Sequence, residues 1–194
     1  ACAAIDPKID GNPPETGILA GVGVAFKLAC AIEGDAETIL SEYADIIALG
    51  TIADVMPLQG ENRYIVRRGL EMLSKSPNIG LSRLVSGSCG TKRISAITVG
   101  YIIAPRINAA GRLGRADIAL ELLLTEDVKA ADRLVAELCE LNQRRREIEQ
   151  SIWEEARGLI SEEERRFPIV LASDKWHQGV VGIAASKLAE KFSR

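Results

Sequence analysis

The longest apolar periodicity in the chain begins after Thr125 and constrains the fold more than any other feature. Apolar residues recur at helical spacing from Val128 to Ile152. Thr125 is a favourable N-cap, and two acidic residues follow it in the first turn. The pattern can continue to Glu164, which predicts a helix of about 35–40 residues and about 55 Å. Because such a helix is longer than a small domain is wide, we expect it to connect two domains.

A short apolar run at Ile46–Leu49 predicts a different kind of element. A continuous run of this length, followed by glycine, is typical of a strand buried on both faces of a parallel sheet. Helical patterns at Ala20–Ile32 and Asn62–Leu73 lie on either side of it. After the long helix we predict a second strand at Ile169–Ala172 and a helix at Gly179–Phe192. These elements together predict an α/β fold.

The remaining segments are shorter and are punctuated by proline and glycine. We predict the end of a strand at Ala3–Ile5 and a loop from Asp10 to Pro14. Short helices are predicted at Leu81–Val85, at Ser95–Ala104, where Pro105 ends the helix, and at Asp117–Leu124. The segment from Pro105 to Arg115 is then expected to be a connection rich in small residues and arginines.

These elements divide the chain into three parts. Residues 1–124 would be the C-terminal part of a first domain, residues 125–166 the connecting helix, and residues 167–194 the start of a second α/β domain. A lone strand and helix cannot bury a hydrophobic core. We therefore expect the second domain to continue beyond Arg194.

Composition excludes several classes of protein. No apolar run approaches the roughly 18–20 residues of a membrane-spanning helix, and the first residues do not resemble a secretory signal. The 4 cysteines form no CxxC pair, and 1 histidine cannot complete a familiar zinc cluster. We expect reduced thiols in a cytoplasmic protein. The net charge of −3 gives no overall attraction to nucleic acid, so any such contact must come from local arginine or lysine clusters.

Asp54 is the first candidate site residue. It directly follows the predicted strand, and ligands gather at the carboxyl ends of strands in open α/β sheets. A carboxylate at that edge can bind a hard divalent cation. The alternative is that Asp54 caps a turn or the next helix, and its position alone favours this alternative.

Arginines and a histidine provide the other candidates. Arg106 and Arg112 flank Asn108 among glycines and alanines, and a planar guanidinium matches the oxygens of a phosphate. The alternative for this segment is a solvated loop with surface ion pairs. His177, between the predicted second strand and its helix, can contact a phosphate or act as an acid, and the alternative is a packed polar residue.

Four segments in a fixed order resemble the signatures of one family. They are LAGVGVAFKL at 19–28, ALGTIADVMPL at 48–58, PRINAAGRL at 105–113 and WHQGVVG at 176–182. Each motif is weak alone, but their order and spacing are specific. Over essentially its whole length the chain resembles RecJ-type exonucleases specific for single-stranded DNA, within the DHH phosphoesterase superfamily.

The resemblance implies a fold, an activity and a set of site residues. It implies the C-terminal part of a parallel-sheet DHH domain, a long connecting helix, and the start of a second α/β domain. It implies 5′-to-3′ hydrolysis of single-stranded DNA, in repair and recombination, with Mn²⁺ or Mg²⁺ as cofactor. By motif, Asp54 resembles a catalytic, metal-binding aspartate. The candidates for DNA contact are Arg106, Asn108, Arg112, Gln143 in the long helix, and His177.

The chain also departs from the family pattern. The Asp-rich motif, the Asp-His-His motif and the late glycine- and histidine-rich motif are absent from its sequence. Two-metal hydrolysis requires several ligands, which Asp54 alone does not supply. We therefore expect the longer protein to be the enzyme and this chain to be inactive by itself.

Two other functions stay open at the level of sequence. One is a DHH phosphoesterase that acts on short oligonucleotides or cyclic dinucleotides. The other is a non-enzymatic module that binds DNA. The arginine-containing PRINAAGRL segment and the long connecting helix favour the exonuclease.

Overall fold

Helices account for the regular structure of residues 6–9, 17–90, 94–160 and 168–192, which are the residues that this computed structural model describes. The helices are α1 (Gly21–Glu33), α2 (Ala36–Ala53), α3 (Gly60–Leu73), α4 (Ile79–Cys89), α5 (Ala96–Thr98), a π-helical segment (Val99–Ile103), α6 (Ala104–Arg112), α7 (Ala116–Leu124), α8 (Val128–Leu159) and α9 (Gln178–Phe192). The predicted helices that became α1, α3, α4, α7 and α9 are confirmed. The predictions for Ala3–Ile5 and for Asp10–Pro14 lie outside the described residues.

The predicted α/β architecture is wrong, because the described ranges contain no β-strand. Ile46–Leu49 lies inside α2, which begins at the N-cap Asp35, whose carboxylate accepts a hydrogen bond from the Glu37 N–H at 2.9 Å. The run is continuously apolar because α1, α3 and α6 pack around α2. A buried helix and a buried strand give the same short pattern. The parallel sheet of a DHH domain is therefore not found in this part of the chain.

The second predicted strand, Ile169–Ala172, is also not formed. A strand needs a neighbour that accepts and donates its backbone hydrogen bonds, and no other described segment is extended beside it. Ile169 and Leu171 instead line an apolar cavity together with Ile152 of α8 and Val181 of α9.

The helix predicted to stop at Pro105 continues through it. In the π-helical segment the Ala104 N–H donates to the carbonyl of Val99, five residues earlier. This wider turn precedes Pro105, which then lies in the first turn of α6, where a missing N–H is tolerated. PRINAAGRL is consequently most of a helix and not the loop that we predicted.

Two groups of buried side chains stabilise the packing of α1 to α7 and the first half of α8, and a third lies between α8 and α9. The largest lies between α4, α6, α7 and the first half of α8, and includes the fully buried Leu84, Leu122 and Leu138. A second lies between α1, α2 and α3, where the helix backbones approach closely. A Cβ at Gly69 of α3 would lie 2.2 Å from the Ala44 carbonyl oxygen, so only glycine fits there.

The long helix α8 is shorter than predicted, with 32 residues and a length of about 48 Å. Its N-cap is Asp127 and not Thr125, because the Asp127 carboxylate accepts a hydrogen bond from the Ala130 N–H at 2.6 Å. Its last residue is Leu159, since Ile160 has an extended backbone and is buried. Residues 161–164 of the predicted helix lie outside the described ranges.

The second half of α8 holds α9 through a buried carboxylate. The side chain of Glu149 is only 4% exposed, and it pairs with Arg145 of α8 and with Lys187 of α9. Arg145 also donates to the Asn142 side-chain oxygen at 2.8 Å. Ile152 and Val180 pack beside this cluster and form the third buried group. The cluster therefore fixes how α9 lies on α8.

Two further expectations can be compared with the described residues. Cys30, Cys89 and Cys139 are present as thiols, and burial raises the pKa of Cys30, which favours its protonated form. None of the described helices combines the length and apolar composition needed to cross a bilayer.

Replacing Glu149 tests this cluster. Glu149→Ala leaves the partly buried Arg145 without its carboxylate, and loss of one partner of a buried pair costs about 3 kcal/mol or more. We expect the free energy of unfolding, measured by urea titration, to fall by about 3 kcal/mol. The control Glu154→Ala removes an exposed carboxylate of α8, which accepts a hydrogen bond from Gln150. Equal effects of the two changes would contradict the structural role of Glu149.

Candidate functional site

Asp54 caps the C-terminus of α2, and its carboxylate is exposed to solvent. The backbone turns sharply after it. The Val55 N–H donates to the Ile52 carbonyl at 3.0 Å, and the Met56 N–H donates to the Thr51 carbonyl at 3.2 Å. These two bonds form a Schellman motif, which satisfies carbonyls at the helix end. Asp54 is thus held at a defined helix end, rather than at the end of a strand.

A buried asparagine fixes the loop that follows Asp54. The Asn62 side-chain amide donates to the Pro57 carbonyl at 3.1 Å and to the Ile18 carbonyl at 2.8 Å. Asn62 is 1% exposed, so these bonds compensate for burying a polar group. The sequence analysis missed this residue. Its signal was a polar side chain at a position of α3 that the helical period assigns to the apolar face.

Asp54, Asn108 and Arg112 line one cavity of about 640 Å³ between α2 and α6. Gly50 allows α1 to approach this cavity, since a Cβ there would lie 2.8 Å from Val22. Gly111 also lines it, and a Cβ at Gly111 would meet no atom within 4 Å. Backbone and polar side chains are therefore accessible together on this face of α6.

Arg112 joins the cavity to the start of α9. Its guanidinium donates to the Gly179 carbonyl at 3.1 Å. The backbones also touch, because a Cβ at Gly179 would lie 2.1 Å from the Arg112 carbonyl oxygen. His177 lies two residues earlier, and its Nδ1 accepts a hydrogen bond from the Gly179 N–H at 3.1 Å. The structure thus places His177 near Arg112 and close to the first turn of α9.

Two other predicted site residues lie elsewhere. The Arg106 guanidinium donates to the Ile102 carbonyl and, from Nε, to the Cys139 sulfur at 3.4 Å. It therefore packs between α6 and α8 and does not line the cavity. Gln143 is exposed on α8 and donates to the Glu147 carboxylate at 2.9 Å. Neither residue is brought together with Asp54 in the described structure.

The charges of the cavity are those of one carboxylate and one guanidinium. No ion pair joins Asp54 to Arg112 among the described residues, so both groups are available to a ligand. A complete metal site is not present there, because no group of three or more His, Cys, Asp or Glu side chains comes together in the described ranges. Asp54 can supply one carboxylate ligand to a divalent cation.

Comparisons with known proteins give a consistent result. No family model matches the chain. The single-stranded-DNA-specific exonuclease RecJ of Bacillus subtilis is 42% identical over 99% of this chain, which corresponds to 24% of the RecJ protein. RecJ of Thermus thermophilus is 44% identical over 98% of this chain and 27% of its own length. The resemblance to RecJ exonucleases is confirmed.

Solved RecJ structures agree in fold. The crystal structure of Thermus thermophilus RecJ with Mn²⁺ has a TM-score of 0.79 at 39% identity, and covers 97% of this chain and 28% of that protein. An exonuclease RecJ bound to manganese has a TM-score of 0.83 at 41% identity, over 97% of this chain and 48% of that one. The chain therefore spans about a quarter to a half of the RecJ proteins that it matches.

The left-handed backbone of Val55, beside Asp54, can be tested by its effect on stability. Val55 has a φ of 56°, in the left-handed region, and its side chain is 86% exposed, so packing does not offset the strain. A non-glycine residue in this conformation lowers the free energy of unfolding by about 1–2 kcal/mol. Glycine avoids this strain, but it loses more conformational entropy on folding, which offsets part of the gain. We expect Val55→Gly to raise the free energy of unfolding by about 0.5–1 kcal/mol in urea titration.

The matched control is Val170→Gly, at an equally exposed valine outside the helices whose φ is not positive. This change is expected to leave stability unaltered or slightly lower. If Val55→Gly gave no gain in the free energy of unfolding relative to Val170→Gly, the strained helix end at Asp54 would be contradicted.

Proposed function

We propose that the chain is part of a metal-dependent exonuclease that hydrolyses single-stranded DNA from 5′ to 3′, and that a backbone phosphate of the strand lies in the cavity between α2 and α6. The observation that carries this proposal is the convergence of Asp54, Asn108 and Arg112 on one cavity. The names of the RecJ relatives support the substrate and the activity. We further propose that the longer protein acts in DNA repair and recombination, in the cytoplasm.

The side chains at the cavity suit a phosphodiester. The Arg112 guanidinium has donors beyond the one bonded to Gly179, and these can meet phosphate oxygens as a planar fork. The Asn108 amide adds a neutral donor from the same face of α6. Gly111, between them, leaves space for the strand to approach the helix. His177 and Arg112 are both bonded to the backbone of Gly179, and we propose His177 as a further DNA contact.

Metal binding is proposed for Asp54 alone among the described residues. The Thermus thermophilus structures contain Mn²⁺ in one case and Mg²⁺ in another, and a carboxylate is an appropriate ligand for either ion. The described residues do not provide the several ligands that two-metal hydrolysis requires. We therefore assign no hydrolytic step to this chain and propose that it is inactive by itself.

Arg106 and Gln143 stay predictions, and the side chain of each is bonded to another residue of the chain. Arg106 is bonded within the contact between α6 and α8, and Gln143 is bonded to Glu147 on the surface of α8. Each would have to release its present partner to reach DNA.

The division of the chain into residues 1–124, 125–166 and 167–194 also stays a proposal. The packing of α8 supports this division. The first half of α8 packs in the largest group of buried side chains through Leu134 and Leu138, and the second half packs against α9 through Ile152. The helix would in this way join the part that carries Asp54 to the part that carries His177.

Arg112→Ala tests the phosphate contact. If Arg112 binds a phosphate, its loss should weaken binding to single-stranded DNA of any sequence. The slope of log K against log salt should also become less steep by roughly 0.7, the value for one contact to a single strand. Fluorescence anisotropy with a labelled oligonucleotide at several salt concentrations measures both quantities.

Arg67→Ala is the control, because Arg67 is exposed on α3 and lines a different groove. Thermal unfolding is measured in parallel, since Arg112 also bonds to Gly179. An unchanged salt slope combined with a lower melting temperature would make Arg112 a structural residue and would reject its contact with DNA.

Asp54→Ala tests the catalytic role in the longer protein. We expect turnover of long single-stranded DNA with Mn²⁺ to fall by orders of magnitude, because a metal ligand is lost. Near-normal turnover would reassign Asp54 to its capping role alone. Parallel assays with dinucleotides test the alternative, a phosphoesterase of short substrates, which predicts that these are hydrolysed in preference to long strands.

A further inference from the structure

An aromatic side chain projects into solvent from the π-helical segment. Tyr101 is 78% exposed, although its neighbours Val99 and Ile103 are fully buried. Its hydroxyl has no hydrogen-bond partner among the described residues. Tyr101 therefore contributes little to the packing that surrounds it. π-Helical turns inside α-helices are found frequently at functional sites.

Tyr101 lies on the helical segment that continues directly into α6, whose residues Asn108 and Arg112 line the proposed DNA-binding cavity. Its neighbour Gly100 faces α2, where a Cβ would lie 3.6 Å from Ile52, two residues before Asp54. Along the helix, Tyr101 precedes Asn108 by seven residues and Arg112 by eleven, spacings that repeat one helical face. The π-helical segment has a wider turn than an α-helix, so Tyr101 is rotated relative to the ideal α-helical face of Asn108 and Arg112.

We propose that Tyr101 stacks on a base of the single strand whose phosphate lies at Asn108 and Arg112. This inference rests on the proposed function and adds a means of holding the bases to the contact with the backbone. Seven residues of helix span about 10 Å, which a stacked strand covers in about three nucleotides at about 3.4 Å each. Stacking on an aromatic ring tolerates any base, as expected for binding without sequence preference.

The experiment compares three variants of the chain in anisotropy titrations with a labelled oligothymidine. Tyr101→Ala removes the ring, Tyr101→Phe keeps the ring without its hydroxyl, and Tyr43→Ala removes a tyrosine of α2 that is 46% exposed. We expect Tyr101→Ala to raise the Kd by about 5- to 100-fold, with an unchanged salt slope because no phosphate contact is lost. Tyr101→Phe and Tyr43→Ala should bind like the unaltered chain.

Oligonucleotides with abasic positions identify the partner of the ring. One abasic position should weaken binding to the unaltered chain by a similar factor. The same abasic position should have no further effect on Tyr101→Ala, since the stacking contact is already lost. This non-additivity distinguishes stacking from a general loss of structure.

Several results would overturn the inference. Normal binding by Tyr101→Ala would reject it, and would leave the proposed function intact if Arg112→Ala still weakened binding. Binding by Tyr101→Phe as weak as that of Tyr101→Ala would assign the contact to the hydroxyl rather than the ring. A lower melting temperature of Tyr101→Ala with unchanged affinity would make Tyr101 a packing residue. Absence of binding by the unaltered chain would reject this inference and the phosphate contact together.

Discussion

The placement of the candidate site depends on the packing of α8 along its whole length. Leu134 and Leu138 fix its first half in the large core, and the buried carboxylate of Glu149 holds α9 against its second half. A buried charge is stable only while its partners remain in place, so α9 is restricted to one position on α8. That position brings Gly179 against the end of α6. The contact between Arg112 and α9 follows from it.

The cavity itself depends on residues that have no side chain. Gly50 permits α1 to approach α2, Gly179 permits α9 to touch the backbone of Arg112, and Gly111 keeps the exposed face of α6 open. Asn62 adds a polar restraint by holding the loop that begins at Asp54. The polar groups of the site are therefore positioned by close backbone contacts and one buried amide, and a ligand would meet an arrangement that is already formed.

The sequence predicted most of the helices, and three of its candidate residues line one cavity. The physical reasons for the correct predictions also explain the wrong ones. Asn62–Leu73 was predicted because one face of the helix is buried and the other is solvated. Ile46–Leu49 was assigned to a strand because α2 is covered on several sides, which removes the alternation that distinguishes a helix. Pro105 was expected to end a helix, and the pattern of residue types does not reveal a π-helical turn.

The same misassignment limited the prediction of site residues. As a loop, PRINAAGRL offered all its polar residues to one ligand. As a helix, it places Asn108 and Arg112 four residues apart on one face, while Arg106 lies on another face against Cys139.

The most direct test of the proposed DNA-binding cavity is a titration of the ¹⁵N-labelled chain with a short oligothymidine, in which NMR chemical shifts of the backbone amides are measured. We expect the largest shifts at the amides of Asp54, Asn108, Gly111 and Arg112. Shifts centred on the groove beside Arg63 and Arg67, with these four amides unaffected, would contradict the proposed DNA-binding cavity.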